Sequence, residues 1–262
     1  MLRRPVGVIT RGTTNPNRLR RVDRYICNQS VLRQTESPLV VDLGFGANPT
    51  TTIELLERLR KVNDRTKVLG IEIDRERVVK AKPFETKDLL FTLGGFEIPI
   101  PEPFGNQATL IRAMNVLRQY DESEVADAWQ LLQQRIAPNG LIVEGTCDEI
   151  GRLASWVTLD KTGPISLTLS FRLLGLDQPS KVAERLPKAL IHKNTAGNNI
   201  HDFLSELDRA WLNNSSLSVF SPVQRFTACA EELEKSGWPI SHLPKRWKLG
   251  ELTIDWKAVS SS

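Results

Sequence analysis

The sequence predicts an α/β fold: a doubly wound, mainly parallel sheet with an antiparallel edge hairpin, an N-terminal helix and a C-terminal helical elaboration. Two patterns predict it. Between residues 39 and 145, short apolar strands alternate with amphipathic helices, which is typical of βαβ units whose right-handed crossovers cover both faces of a sheet. Residues 153–159 and 165–173 form two strand-like runs joined by a turn at residues 160–164, and apolar and polar residues alternate along the second run, which indicates a hairpin with one buried and one wet face.

The individual elements follow from periodicity and turn residues. Residues 1–16 are expected to be irregular, and apolar residues at spacings of three and four predict a helix from Asn17 to about Gln34. About seven residues separate the fifth strand from Leu153, too few for a parallel crossover, so we expect the next strand to run antiparallel beside or near the fifth. The predicted strands cover residues 39–43, 67–73, 89–93, 109–114, 141–145, 153–159, 165–173 and 251–256, and residues 177–236 are predicted to be mainly helical.

Composition and organisation are those of a soluble globular protein. Of the 262 residues, 40% are hydrophobic and 25% are charged, and no apolar run is long enough for a membrane span or a signal peptide. The three cysteines lie too far apart in sequence for a disulfide framework or a zinc site, so we expect a cytoplasmic protein without a metal. The expected segments are a basic arm and helix (1–36), a core (37–176) and a C-terminal helical extension packed on the core (177–262).

Positive charge is concentrated at the N-terminus. Residues 1–35 contain eight arginines and a single acid, Asp23, a net charge of +7, whereas the whole chain carries +4 and the remainder therefore −3. The plainest interpretation is a solvated basic face, and the sharper one is a lid over a pocket or a clamp for an anion. Aromatic residues that would stack on bases are sparse in the arm, so nucleic acid is a less favoured partner.

The loop after the first predicted strand is the clearest candidate for a binding site. Gly44 and Gly46 allow a tight turn and the close approach of a ligand to the backbone, at the strand ends where doubly wound sheets bind ligands. The second strand ends at Glu72, whose carboxylate can accept hydrogen bonds from both hydroxyls of a ribose. The sequence therefore predicts a nucleoside-containing ligand.

Two residues decide between nucleoside ligands. A dinucleotide site usually has a third glycine at the start of the helix, and here Pro49 holds that place. Asp42 puts a negative charge just before the loop, which disfavours a diphosphate and favours a ligand with a cationic amino-acid tail. S-adenosylmethionine is such a ligand.

As a set, these motifs resemble the class I S-adenosylmethionine-dependent methyltransferases. The matching segments are residues 40–46 for the first motif, 69–74 for the second, 112–117 after the fourth strand, and 137–143 leading into the fifth. The resemblance implies a Rossmann-like fold, S-adenosylmethionine as the cofactor, and methyl transfer by in-line displacement to an acceptor that it does not identify.

The resemblance also implies the residues that contact the cofactor. No clear acid ends the third strand, so Phe96 and Glu97 are the nearest candidates for the adenine, and Asn115 is either a ligand contact or a helix cap. Catalytic residues stay unassigned, since neither an Asp-Pro-Pro-Tyr-like run nor a Pro-Cys pair is present. The expected cofactor-binding residues are Asp42, Gly44, Phe45, Gly46, Glu72, Ile73, Phe96, Glu97, Met114 and Asn115.

Two alternatives to this function remain open at the sequence level. One is a non-catalytic regulatory protein that binds S-adenosylmethionine or a nucleotide, and the other is an RNA methyltransferase that uses the basic arm. For the arm itself, we expect residues 1–34 to dock on the core and close part of the cofactor or acceptor site. The rival expectation is a free basic tail that recruits RNA.

Overall fold

The computed structural model describes residues 5–9 and 14–260, and within them eight strands form one continuous sheet. The strand order is β3-β2-β1-β4-β5-β6-β7-β8, with β1 to β5 parallel and the last three strands antiparallel to their neighbours. The strands are β1 (Leu39–Leu43), β2 (Lys67–Glu72), β3 (Leu89–Leu93), β4 (Ala108–Met114), β5 (Ile136–Cys147), β6 (Leu153–Leu159), β7 (Pro164–Phe171) and β8 (Glu251–Asp255).

Helices cover both faces of this sheet. Longer helices connect the parallel strands or pack in the C-terminal segment, and single 3₁₀ turns occupy many of the loops. The α-helices are α1 (Arg20–Ile26), α2 (Val31–Gln34), α3 (Thr50–Leu59), α4 (Arg75–Ala81), α5 (Val125–Arg135), α6 (Lys188–Ile191), α7 (Asn199–Asn213), α8 (Pro222–Lys235) and α9 (Pro244–Trp247). The 3₁₀ turns are Lys82–Phe84, Glu102–Phe104, Leu117–Gln119, Glu122–Glu124, Pro179–Arg185, Ser215–Val219 and Trp256–Ala258.

The parallel half confirms the predicted doubly wound, Rossmann-like sheet. All five residues of β1 are buried, as expected for a central strand with helices on both faces. Strand order reverses between β1 and β4, because β2 and β3 extend one way from β1 and β4 and β5 the other. This switch point opens a crevice at the carboxyl ends of the strands, which is where such sheets bind their ligands.

In the antiparallel half, the direction of β6 is as predicted, and the exposure of β7 is not. β6 pairs antiparallel with β5, as the short connection predicts. The prediction of a wet face on the following strand is wrong, because Thr168 and Ser170 of β7 are fully buried. Two neighbours explain the burial. β8 pairs with the outer side of β7, so the hairpin is not the sheet edge, and α1 packs on that face, where Tyr25 Oη and Thr158 Oγ1 lie 2.7 Å apart.

The N-terminal helix is shorter than predicted. Helix α1 begins at Arg20 because Asn17 has a left-handed φ of 60°, and a turn at residues 27–30 separates it from α2. The predicted apolar stripe is confirmed, since Leu19, Val22 and Ile26 are buried in the core layer between α1, α3 and the sheet. The larger core layer, on the opposite face, contains α5, α7 and α8. No helix within the described residues has the length and apolar character to cross a membrane.

Candidate functional site

The carboxyl ends of the first four strands surround one cleft, and all ten residues expected at the cofactor site lie around it. Nine of them line two adjoining cavities, and Glu97 contacts a chain segment that enters the second cavity. The cavities measure about 40 and 20 Å³, far below the several hundred Å³ of a typical ligand pocket. Segments from the N-terminal arm fill the remaining space.

The loop after β1 has the conformation that its glycines permit. Gly44 and Gly46 have φ values of 73° and 85°, in the left-handed region that strains any other residue. A Cβ on Gly44 would come within 2.7 Å of Val116 Cγ2, so the backbone there forms the floor of the cleft. The Phe45 ring packs on Phe91, with ring centroids 5.2 Å apart.

Glu72 fixes this loop to the end of β2. The Gly46 N–H donates to Glu72 Oε2 at 2.9 Å, and the Ile73 and Asp74 N–H groups donate to Oε1 at 3.0 and 3.3 Å. Arg77 Nη1 lies 3.6 Å from the same carboxylate, which is only 1% exposed. Backbone donors and a nearby guanidinium therefore fix the Glu72 side chain at the point where the first two strand-end loops meet.

Asp42 lines the cleft, but its charge is already neutralised. Arg112 of β4 donates to both carboxylate oxygens, from Nε at 2.9 Å and from Nη2 at 2.7 Å, and Thr52 Oγ1 donates to one of them. The same guanidinium donates to Asp23 of α1, which also pairs with Arg58 at 2.5 Å. The argument that Asp42 offers a free negative charge to a cationic ligand is therefore corrected.

Arg112 stays charged within this cluster although it is fully buried. Burial opposes its charge, but the two aspartates more than offset that effect and hold the pKa of Arg112 above its usual value. Arg58 and Arg112 thus form an ion-pair network with three acids, Asp23, Asp42 and Glu54, and it joins α1, α3, β1 and β4 beneath the glycine loop. The network therefore stabilises the backbone that forms the floor of the cleft.

The far end of the cleft is walled by Ile73, Phe96 and Tyr120, with the rings of the last two 5.4 Å apart. The Glu97 side chain lies at this end of the cleft, where its Oε1 accepts a hydrogen bond from the Gly95 N–H at 3.0 Å. Residues Val6 to Val8 of the arm lie against these walls. Tyr120 was not expected in the site from the sequence, because it follows a 3₁₀ turn after β4 rather than a strand end.

Met114 and Asn115 close the opposite side of the cleft. Asn115 has a left-handed φ of 62°, and its Oδ1 accepts from the Cys147 N–H at 2.9 Å while Nδ2 lies 3.3 Å from Cys147 Sγ. It therefore joins the ends of β4 and β5 instead of capping a helix. Burial raises the pKa of the Cys147 thiol, which keeps it protonated and unreactive near neutral pH.

The arm crosses this side of the cleft before α1 begins. Thr14 Oγ1 donates to the Phe45 carbonyl at 3.1 Å, and Asn48 Nδ2 donates to the Thr14 carbonyl at 3.3 Å. Arg18 and Leu19 line the same cavity, and Arg18 Nε donates to the Asp148 carbonyl at 3.0 Å. The expected docking of the arm is thus observed for residues 14–34, while Arg3, Arg4 and Arg11 lie outside the described residues.

No protein-family model matches the sequence, and no curated protein matches it. Solved structures similar in part to this chain include human N-acetylserotonin methyltransferase in complex with S-adenosylmethionine, at 22% identity over 51% of this chain and 36% of that one, with a TM-score of 0.36. A dimethyltransferase of 8-amino-8-demethyl-D-riboflavin from Streptomyces davawensis matches at 12% identity over 49% and 36%, with a TM-score of 0.37. The cyclopropane synthase MmaA2 from Mycobacterium tuberculosis matches at 15% identity over 47% and 42%, with a TM-score of 0.34. The matches span less than half the length of each of these proteins, so the similarity extends to part of the fold and to nothing further.

Proposed function

We propose that this protein binds S-adenosylmethionine in the cleft and transfers its methyl group to an acceptor that is still unidentified. One observation carries the proposal: the Glu72 carboxyl is held by hydrogen bonds against the left-handed glycine loop, at the point where strand order reverses. A carboxylate in that position suits the two hydroxyls of a ribose, and the open backbone at Gly44 suits the close approach of a nucleoside.

The residues at the strand ends fit this cofactor. Glu72 would hold the ribose, while the Phe96 N–H and the Glu97 carboxylate would hold the adenine between Ile73 and the two aromatic rings. The cofactor supplies a methyl group on a sulfonium, which is a good leaving group. The protein's own contribution is then to bind, to align the acceptor and to exclude water, and no dedicated base is required.

A dinucleotide fits less well. Pro49 stands at the N-cap of α3, with φ of −79°, in the place where a third glycine would let the helix sit close beneath a pyrophosphate. The second argument against a diphosphate, a free charge on Asp42, no longer applies because Arg112 neutralises it. Pro49 is therefore the residue that disfavours an oxidoreductase.

Recruitment of RNA by a free basic arm is also disfavoured. Arg21 donates to the Leu249 carbonyl at 3.1 Å, and Arg24 pairs with Glu251 at 2.9 Å. Arg33 donates to the carbonyls of Cys27 and Asn28 at the end of α1. The guanidinium groups of Arg21 and Arg24 therefore anchor this part of the arm to the protein, while Arg20 and Arg33 are exposed.

Calorimetric titration of the wild-type protein with S-adenosylmethionine and with NAD, side by side, tests the proposal. We expect binding of the former alone. The Glu72→Ala variant should lose roughly a hundredfold or more in affinity, since two hydrogen bonds to a charged acceptor contribute ~1.5–3 kcal/mol each.

The matched control is Glu76→Ala, which removes an exposed acid from the first turn of α4. It should bind the cofactor normally, and circular dichroism should show both variants to be folded. Unchanged binding in a folded Glu72→Ala protein would refute the ribose assignment. If the wild type binds the cofactor but methylates nothing in a library of labelled acceptors, the regulatory alternative is favoured.

A further inference from the structure

The segment Val6–Val8 occupies the adenine end of the cleft. The Val6 carbonyl accepts from the Phe96 N–H at 3.0 Å, and the Val6 N–H donates to Glu97 Oε2 at 2.9 Å. The fit is tight, because a Cβ on Gly95 would come within 1.9 Å of the Val6 oxygen. A peptide of this chain therefore uses the polar groups that the cleft offers to a ligand.

The pair of hydrogen bonds at Val6 has the pattern of an adenine edge. Adenine presents an amino group that donates next to a ring nitrogen that accepts. Val6 presents a donor to Glu97 and an acceptor to the next amide along the same loop, the Phe96 N–H. The Phe96 N–H has a single proton to donate, so the Val6 carbonyl and the ring nitrogen of an adenine compete for it.

Gly7 occupies the space between the walls. A Cβ built on it would lie 2.8 Å from Tyr120 Oη, 3.4 Å from Ile73 Cδ1 and 3.7 Å from Phe96 Cε2. Its φ of 142° is accessible in practice only to glycine. Beyond it, the Val8 N–H donates to Tyr120 Oη at 2.5 Å, and Gln119 Nε2 donates to the Val8 carbonyl at 3.1 Å.

The segment is held by its backbone and buries little apolar surface. The side chains of Val6, Val8 and Ile9 are 44%, 56% and 55% exposed. Hydrogen bonds of this kind exchange readily with water or with a ligand, whereas a segment anchored by buried side chains would not. The docked segment is therefore displaceable.

We propose that Val6–Val8 is an intramolecular competitor of the cofactor, which must leave the adenine end of the cleft before S-adenosylmethionine binds there. This inference rests on the proposed function. The apparent dissociation constant is then raised by the fraction of molecules in which the segment is docked. A lid would differ, because it would close over the bound cofactor and strengthen binding.

Hydrogen exchange on the wild-type protein separates these two roles. The Val6 and Val8 amides are both hydrogen-bonded when the segment is docked, so they are protected. Saturating S-adenosylmethionine should increase their exchange, because the cofactor releases the segment. Protection that stays constant or increases on binding would show a lid and overturn the proposal.

A pair of glycine variants measures the size of the effect. Gly7→Ala strains the docked segment through its φ and its contact with Tyr120, without altering the walls of the cleft. Gly163→Ala is the matched control: its φ is 145°, and nothing lies within 4 Å of the added Cβ, in the remote β6–β7 turn. We expect the first variant to bind S-adenosylmethionine about tenfold more tightly, which corresponds to about 1.4 kcal/mol, and the second to bind as the wild type does.

The outcomes also separate this proposal from the proposed function. Equal or weaker binding by Gly7→Ala, with normal binding by the wild type and by Gly163→Ala, would overturn the competitor and leave the function intact. No binding of S-adenosylmethionine by any of the three folded proteins would overturn both.

Discussion

At the scale of single residues, the buried carboxyl of Glu144 makes the stability of the protein depend on pH. It lies in β5 with one hydrogen bond, from Trp129 Nε1 at 3.3 Å, and its Oε1 has no partner within the described part of the chain. Burial raises the pKa of Glu144 to about 8, because no cation compensates the charge. The folded protein therefore holds a proton there that the unfolded chain releases near pH 4.5.

This shift predicts how stability depends on pH. Between pH 4.5 and 8 the folded state binds more protons at Glu144 than the unfolded state, so the free energy of unfolding should fall as pH rises, by roughly 4 kcal/mol from this group. Glu144→Gln should remove that fall in urea titrations at pH 5 and pH 8. Glu231→Gln, at an exposed position of α8, is the control and should keep the wild-type profile. Identical slopes in all three proteins would contradict the assignment.

At the candidate site, a residue could be predicted from the sequence where its conformation depends on its immediate neighbours along the chain. Glycines after an apolar strand and an acid after the next strand identify Gly44, Gly46 and Glu72 without any structure. The partners of Asp42 and Asn115 were not predictable, because Arg112 and Cys147 are remote in sequence and are brought close only by strand pairing. Patterns over a few residues predict the conformation of the backbone. The pairing of Asp42 with Arg112 depends instead on which strands become neighbours in the folded sheet.

At the scale of elements, α1 shows how a charged residue comes to lie on a buried face. Asp23 lies on the same side of the helix as Val22 and Ile26, and its side chain is fully buried because Arg58 and Arg112 meet it there. The sequence predicted the apolar stripe correctly and gave no reason to place an acid within it. The helix thus docks through an ion pair as well as through apolar contacts.

Asp23→Asn tests that docking. The change leaves the buried Arg112 with less negative charge around it, and breaking a buried pair costs about 3–5 kcal/mol. Glu36→Gln is the matched control, since it breaks the exposed pair with Arg65 and should cost less than about 1 kcal/mol. Urea unfolding of both variants measures the difference. Equal free energies of unfolding would show that the network contributes nothing specific.

At the scale of the whole molecule, the sheet combines strands from the core segment with a strand from the C-terminal segment, and the N-terminal helix packs on it. The parallel half was predictable almost strand by strand, because each βαβ unit is a local pattern. The position of β8 was not, since a strand near the C-terminus pairs with β7 across about 80 residues of helices and loops. Arg24 then links that strand to α1, so the N-terminal helix contacts both the parallel and the antiparallel half.

Two N-terminal deletions test this arrangement. Within the described residues, removal of residues 1–9 takes away a segment that is held by its backbone and buries little apolar surface, so the free energy of unfolding should change by less than about 1 kcal/mol. Removal of residues 1–34 exposes the surface that Leu19, Val22, Ile26 and Leu32 cover, each of which contributes ~1.5–3 kcal/mol when fully buried. It also leaves Arg112 without Asp23, and the combined loss equals or exceeds the ~5–15 kcal/mol of a typical domain. We therefore expect the longer deletion to aggregate and to bind a hydrophobic dye, while the shorter one unfolds cooperatively like the full chain. A soluble 35–262 fragment with a native unfolding midpoint would show that the sheet does not need its N-terminal helix.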